Sequence, residues 1–118
     1  MPLHGMYTVN KILWLKDHCP DVFKKTWKFC CVEDYIIYRL TEDQPVIDYS
    51  LAARTMLFDV VKKEWSGKIC KLAGVDPQNL SRAIPSGSIA GTISSKVSGI
   101  SGLPKNLLIA TGGHDQPC

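Results

Sequence analysis

The stretch that most narrows the folds open to this chain is Leu107-Leu108-Ile109-Ala110-Thr111, followed by Gly112-Gly113-His114-Asp115-Gln116. An apolar run this short is strand length rather than helix length, and it predicts a buried strand over 107–111. A strand hands its last side chains to the carboxyl edge of its sheet, and glycines there let a ligand or a neighbouring backbone come close. Asp115 therefore reads as a carboxylate presented to a substrate. The sequence stops at Cys118, so a partial domain is the first expectation.

Upstream, helical and extended periods alternate. Residues 8–19 predict a helix with Ile12, Leu15 and Cys19 on one face, Leu13 and Trp14 widening it, and Pro20 stopping it. Asp21 is placed to cap a short helix through Trp27, with Val22 and Phe23 inward. Residues 29–32 are an apolar run of strand length. Glu33 and Asp34 then put negative charge in the first turn of a helix carrying Tyr35, Ile36, Ile37, Tyr38 and Leu40. A polar turn over 41–45 leads to an extended segment at 46–48, and Ser50 is a candidate cap for a helical turn through Ala53. Residues 56–60 read as a strand and 62–64 as an exposed turn. Ser66 opens a helix that ends at Gly74, and Asp76-Pro77 pairs a cap with a proline at the first helical position. Residues 87–93 alternate like a strand, and 94–102 form a weak helix or loop. Helical crossovers between strands give an α/β class, in one structural unit without repeats.

Several function classes drop out on composition. A length of 118 residues allows one small domain and not two. Lys11, Lys16 and Asp17 interrupt the greasiest stretch, so no membrane span is expected. No basic region followed by an apolar stretch opens the sequence, so no secretory signal is expected either. The net charge of +3 comes from scattered lysines rather than one basic stripe, which argues against nucleic-acid binding. The five cysteines are an odd number with no C-x-x-C pair, a poor match to a disulfide framework. Reduced thiols point to the cytoplasm. A zinc site through His18 and Cys19 lacks a second pair of ligands, so no metal site is expected.

Three segments carry a more specific signal. Met6-Tyr7-Thr8-Val9-Asn10-Lys11-Ile12-Leu13-Trp14-Leu15 is followed by Asp17-His18. Asp48-Tyr49-Ser50-Leu51-Ala52-Ala53-Arg54-Thr55-Met56-Leu57-Phe58-Asp59 is followed by Trp65, and the third is Gly112-Gly113-His114-Asp115-Gln116. In this order and spacing they resemble the FGGY family of carbohydrate kinases, which includes glycerol kinase, xylulokinase and gluconokinase. Thr8, Lys11, Ile12, Trp14 and Leu15 fit the family's first signature, and Ala53–Phe58 looks like the glycerol kinase form of the second.

The resemblance implies transfer of the γ-phosphoryl group of ATP, with Mg2+, to a sugar or polyol hydroxyl on two actin-like (ribonuclease H-like) domains. It makes residues 1–118 part of the N-terminal, sugar-binding domain, without that domain's start and without the C-terminal nucleotide domain. It gives Asp115 the role of general base, since phosphoryl transfer asks the protein mainly to position groups and stabilise charge. Gln116 resembles an amide that touches the polyol. His114 departs from the xylulokinase pattern, which has glycine there, and either reaches the sugar or packs. Gly112 and Gly113 allow backbone closeness or simply turn the chain.

Lys11 reads either as a substrate ligand or as a pin for the start of its helix, and Trp14 as core. Tyr7 stands one position past the place of glycerol kinase's polyol-binding tyrosine, where this chain has Met6, which weighs against glycerol. Trp27 and Trp65 read as core or domain-surface packing, and 48–50 and 54–59 as turns and strand that hold the fold. The sequence shows no Asp-x-Gly-Thr phosphate hairpin and no G-x-x-x-x-G-K-[ST] loop, so ATP is expected to be held by other segments and this chain alone to be inactive. Two other readings stand beside the kinase: a carbohydrate-binding or regulatory module derived from it, and a metal-dependent phosphohydrolase using His114 and Asp115. The identity of the sugar and the oligomeric state, a homo-oligomer included, stay open.

Overall fold

The computed structural model describes residues 5–114. The first helix, α1 (Thr8–His18), buries Val9 and Ile12 three residues apart, and the amide of its second residue, Val9, donates to Thr55 O at 3.1 Å. Pro20 cannot donate to α1 and instead opens the second helix, α2 (Pro20–Lys25). The cap is Cys19 rather than Asp21, which lies in the first turn. Phe23 packs on the core as expected, whereas Val22 is exposed.

Residues 29–32 do not form the expected strand. Phe29 makes a single parallel bridge to Leu80, its amide donating to Asn79 O at 2.7 Å. Val32 is already the first residue of α3 (Val32–Thr41), where the acidic pair Glu33 and Asp34 suits the positive end of the helix dipole. This helix buries Ile37 and Asp34 and ends on Glu42 in the left-handed conformation.

Strand β1 (Val46–Asp48) is buried throughout. Its partner is β4 (Arg82–Ile84), in parallel, with Ile47 opposite Ala83. Between them the chain runs through α4 (Tyr49–Arg54), the hairpin of β2 (Phe58–Asp59) and β3 (Glu64–Trp65), α5 (Gly67–Ala73) and a 3₁₀ turn at Pro77–Asn79. The cap of α4 is Asp48 rather than Ser50. The strand expected over 56–60 contracts because Met56 has a positive φ of 66° and Asp59 Oδ1 accepts from Val61 N and Lys62 N, both at 3.0 Å, turning the chain. Ser66 caps α5 through Ile69 N, and Gly74, with φ of 71°, ends it. Asp76 and Pro77 open the 3₁₀ turn as cap and first helical residue.

The last unit is the antiparallel ribbon of β5 (Ile89–Thr92) and β6 (Leu108–Ala110), joined by α6 (Ser95–Ser101). Ser94 and Gly102 cap the two ends of α6, so 94–102 is a helix. The run at 107–111 is a strand but not a buried one: Leu108 is 57% exposed and Leu107 and Ile109 are half-buried. Among the described residues β6 pairs only with β5, so a ribbon rather than a layered sheet surrounds it.

One core cluster gathers Val9, Ile12, Leu57, Cys70, Ala73, Val75 and Leu80; a second gathers Ile47, Ala52 and Phe58. Trp65 packs against both, and its indole N–H donates to Ser81 O at 2.8 Å. Trp14 is not core: it is 54% exposed and stacks on His18 with ring centroids 4.6 Å apart. Trp27 is exposed and meets Tyr38 edge-on.

Candidate functional site

The exit of β6 is fastened before the glycines begin. Thr111 is buried, its amide donates to Ser88 O at 2.8 Å, and its hydroxyl donates to Pro85 O at 3.0 Å. Gly112 N then donates to Glu33 Oε1 at 2.8 Å, and His114 N donates to Ser50 Oγ at 2.7 Å. Two consecutive contacts thus hold the segment that leads to Asp115, one from the first turn of α3 and one from the first turn of α4.

Ser50 accepts from His114 because its own proton is directed elsewhere. Its hydroxyl donates to Asp48 Oδ2, which also accepts from Ser50 N at 2.8 Å and from the Ser86 hydroxyl at 2.6 Å. Asp48 Oδ1 takes Leu51 N at 3.2 Å. This carboxylate is fully buried, and burial pushes its pKa up. The two serine hydroxyls and the two amides outweigh that, so the net direction is downward and Asp48 stays ionised.

Glu33 moves the other way. Burial raises it, the Gly112 amide pulls against the rise, and the neighbouring Asp48 charge adds to it. Its second oxygen lies 3.5 Å from Asp48 N, so the same carboxylate touches the end of β1 and the end of β6. Glu33 therefore links the ends of the two strands, and it and Asp48 form a pair of carboxylates whose pKa values are pushed in opposite directions.

Gly113 and His114 are half-buried at this junction. At Gly112 a Cβ would lie 3.8 Å from Glu33 Oε1, an ordinary contact, and Gly112 has no positive φ. Asp115 and Gln116 lie outside the described residues.

Tyr7 and Lys11 lie at the start of α1. Tyr7 precedes α1, packs on the first core cluster, and has the Arg54 guanidinium 6.0 Å from its ring centroid. Lys11 is exposed between two cavities. One, of about 540 Å³, is lined by Gly5, Asn10, Lys11, Trp14 and Leu15. The other, of about 510 Å³, is lined by Thr8, Lys11, Cys30, Cys31, Val32 and Tyr35. Neither includes a residue of the 112–114 segment.

Among the described residues no group of three or more His, Cys, Asp or Glu side chains is gathered to hold a metal ion. Glu33 and Asp48 are already committed to amides and hydroxyls, so neither carboxylate is free to take Mg2+. No described helix is long and apolar enough to cross a membrane.

The sequence reading treated Asp48 and Ser50 as holding a turn, and they do, but it passed over Glu33 and Ser86. Ser86 lies 38 residues from Asp48, and Glu33 lies 79 residues from Gly112. No local pattern joins residues so far apart.

Comparison with known proteins puts this geometry in a class. The model of the FGGY family of carbohydrate kinases, N-terminal domain, matches residues 1–118, and the chain belongs to that family. It is 35% identical over 114 residues to the xylulose kinase of Bacillus subtilis (strain 168), covering 95% of this chain and 22% of that protein. It is 37% identical over 89 residues to the glycerol kinase of Thermococcus onnurineus (strain NA1), covering 72% of this chain and 18% of that protein. The crystal structure of ligand-bound xylulose kinase from Lactobacillus acidophilus superposes with a TM-score of 0.89 at 26% identity, over 98% of this chain and 23% of that one. The fold is accordingly that of FGGY sugar kinases, an actin-like ATPase fold. The chain spans about a fifth of the length of the relatives it matches.

Proposed function

We propose that residues 1–118 form part of the N-terminal, sugar-binding domain of a kinase that phosphorylates a hydroxyl of a sugar or polyol, with Asp115 as its general base. The observation that carries the reading is the fastening of Gly112 and His114 to Glu33 and Ser50, at the carboxyl ends of β6 and β1.

In this role the Asp115 carboxylate takes the proton of the attacking hydroxyl as the oxygen–phosphorus bond forms and ADP departs. Gln116 supplies an amide that reads a neighbouring hydroxyl, and Gly113 and His114 border the same space. Lys11, which borders both cavities, and Tyr7, just before α1, are assigned to substrate. ATP and Mg2+ are held by segments outside this chain, where Mg2+ supplies charge neutralisation at the phosphates, and the chain alone is inactive. The free thiols of Cys19, Cys30, Cys31 and Cys70 support a reducing compartment, the cytoplasm.

The test is sugar-dependent ADP formation by the complete polypeptide, screened against pentoses, hexonates and polyols, in wild type and Asp115→Asn. The expected result is activity on a member of one class and a loss of about 10²-fold or more in the variant, with sugar binding retained. Unchanged turnover in Asp115→Asn removes it from the mechanism.

A further inference from the structure

Resting on the reading of Asp115 as the base, we infer that Glu33 and Ser50 are positioning residues that set the backbone from which Asp115 is presented. The inference is carried by a relay of hydrogen bonds that ends on the chain just before the base. Gly112 N donates to Glu33 Oε1 at 2.8 Å and His114 N donates to Ser50 Oγ at 2.7 Å. These are backbone amides, so the contacts fix the path of the main chain whatever the His114 side chain does.

The arrangement is directional. A hydroxyl carries one proton, and Ser50 gives its proton to Asp48. Its lone pairs are thereby turned toward His114. Asp48 is buried and is held in place by the amides of Ser50 and Leu51 and by the Ser86 hydroxyl. Glu33 ties the other anchor to the same point, since its second oxygen faces Asp48 N. The segment is thus suspended from the first turns of α3 and α4, both braced against β1. Elements of regular structure hold a group more closely than a loop does.

Positioning of this kind acts on the reaction more than on the substrate's residence. A displacement of about 1 Å at a reacting group costs roughly 10²-fold in rate. The variants that test it are Ser50→Ala and Glu33→Ala, which delete the acceptors, and Ser50→Thr and Glu33→Gln, which keep an oxygen in place. Ser66→Ala serves as the stability control, because it removes the cap of α5 and touches nothing at 112–114.

In the complete polypeptide the alanine variants are expected to lower kcat by about 10- to 100-fold. Sugar KM is expected to change by less than about 3-fold. Thr and Gln are expected to restore most of kcat, and Ser66→Ala to lower the melting temperature without lowering kcat. Wild-type kcat in both alanine variants overturns the inference. So does a kcat loss in Ser66→Ala equal to theirs at an equal drop in melting temperature.

If the wild type forms no ADP with any sugar, the kinase reading fails and the clamp is judged separately, by hydrogen exchange at the Gly112 and His114 amides. Protection that is lost in Glu33→Ala and Ser50→Ala respectively upholds the clamp. Absence of protection in the wild type overturns it.

Discussion

Asp48→Asn removes one charge and almost no volume, and its cost can be followed bond by bond. In the native protein Asp48 Oδ2 accepts from Ser50 N and from the hydroxyls of Ser50 and Ser86, while Oδ1 accepts from Leu51 N. Asparagine keeps one carbonyl oxygen, at the Oδ1 position for Leu51 N. Its other position becomes an NH₂ donor facing two hydroxyls, which must reverse, and Ser50 N, which cannot and loses its acceptor. Hydrogen bonds to a charged acceptor, at about 1.5–3 kcal/mol each, become neutral ones at about 0.5–1.5 kcal/mol each. Two such exchanges lose about 2–3 kcal/mol and the orphaned Ser50 N about 1 kcal/mol more, while release of Glu33 from its charged neighbour returns part, leaving about 2 kcal/mol. For a domain of this size that lowers the melting temperature by about 6–10 °C.

The pH dependence distinguishes this account from a general loss of packing. Asp48 has a folded pKa below its unfolded value of about 3.9, so its contribution is present above that value and is lost as pH falls through the folded one. Thermal unfolding followed by circular dichroism in buffers from pH 3 to pH 8 is the assay. The gap between wild type and Asp48→Asn should be full at pH 6–8 and shrink toward pH 3. A gap of the same size at pH 3 and pH 7, or none at pH 7, refutes the reasoning.

Two further outcomes concern the core. Leu57 is fully buried among Val9, Ile12 and Cys70, so Leu57→Ala is expected to cost about 3–4 kcal/mol in denaturant unfolding. A loss below about 1 kcal/mol would mean that the neighbours collapse into the space. Asp34 is buried with the Ser81 hydroxyl on Oδ2 and no hydrogen-bond partner on Oδ1 among the described residues. Burial raises its pKa against the pull of Ser81, so its contribution is present below about 3.9 and is lost as pH rises through the folded value. Relative to wild type, Asp34→Asn should therefore be more stable at pH 8 than at pH 4 in thermal melts, and an equal difference at both refutes the assignment.

What the sequence made legible is what its residues do to near neighbours. Pro20 parting two helices, Ser66 and Gly74 bounding α5, and Asp76-Pro77 opening a turn all act within a few positions. Trp14 was misread as core: it stands two residues from buried Ile12, about 200° around the helix, and so faces away from the core. Strand β4 was not readable, because Arg82-Ala83-Ile84 has little β-branched or aromatic content and becomes a strand only by lying along β1. The extended reading of 29–32 failed for a related reason, since Val32 was drawn into α3 by the helix-start signal of Glu33 and Asp34. Of the site, the FGGY signatures gave the class and the candidate base, whereas the clamp depends on Glu33 and Ser50, distant in sequence from the amides they hold.

That distance bears on how the molecule assembles. The clamps close chain segments of 79 and 64 residues, and such contacts are rewarded only after the chain entropy of closure has been spent. The hairpin of β2 and β3, and the packing of α3 and α4 on β1, join near neighbours and need no such closure. The 112–114 segment is therefore among the last pieces to dock and among the first to be released. Substitutions at Glu33 or Ser50 should then register mainly as faster unfolding, with the rate of folding little changed.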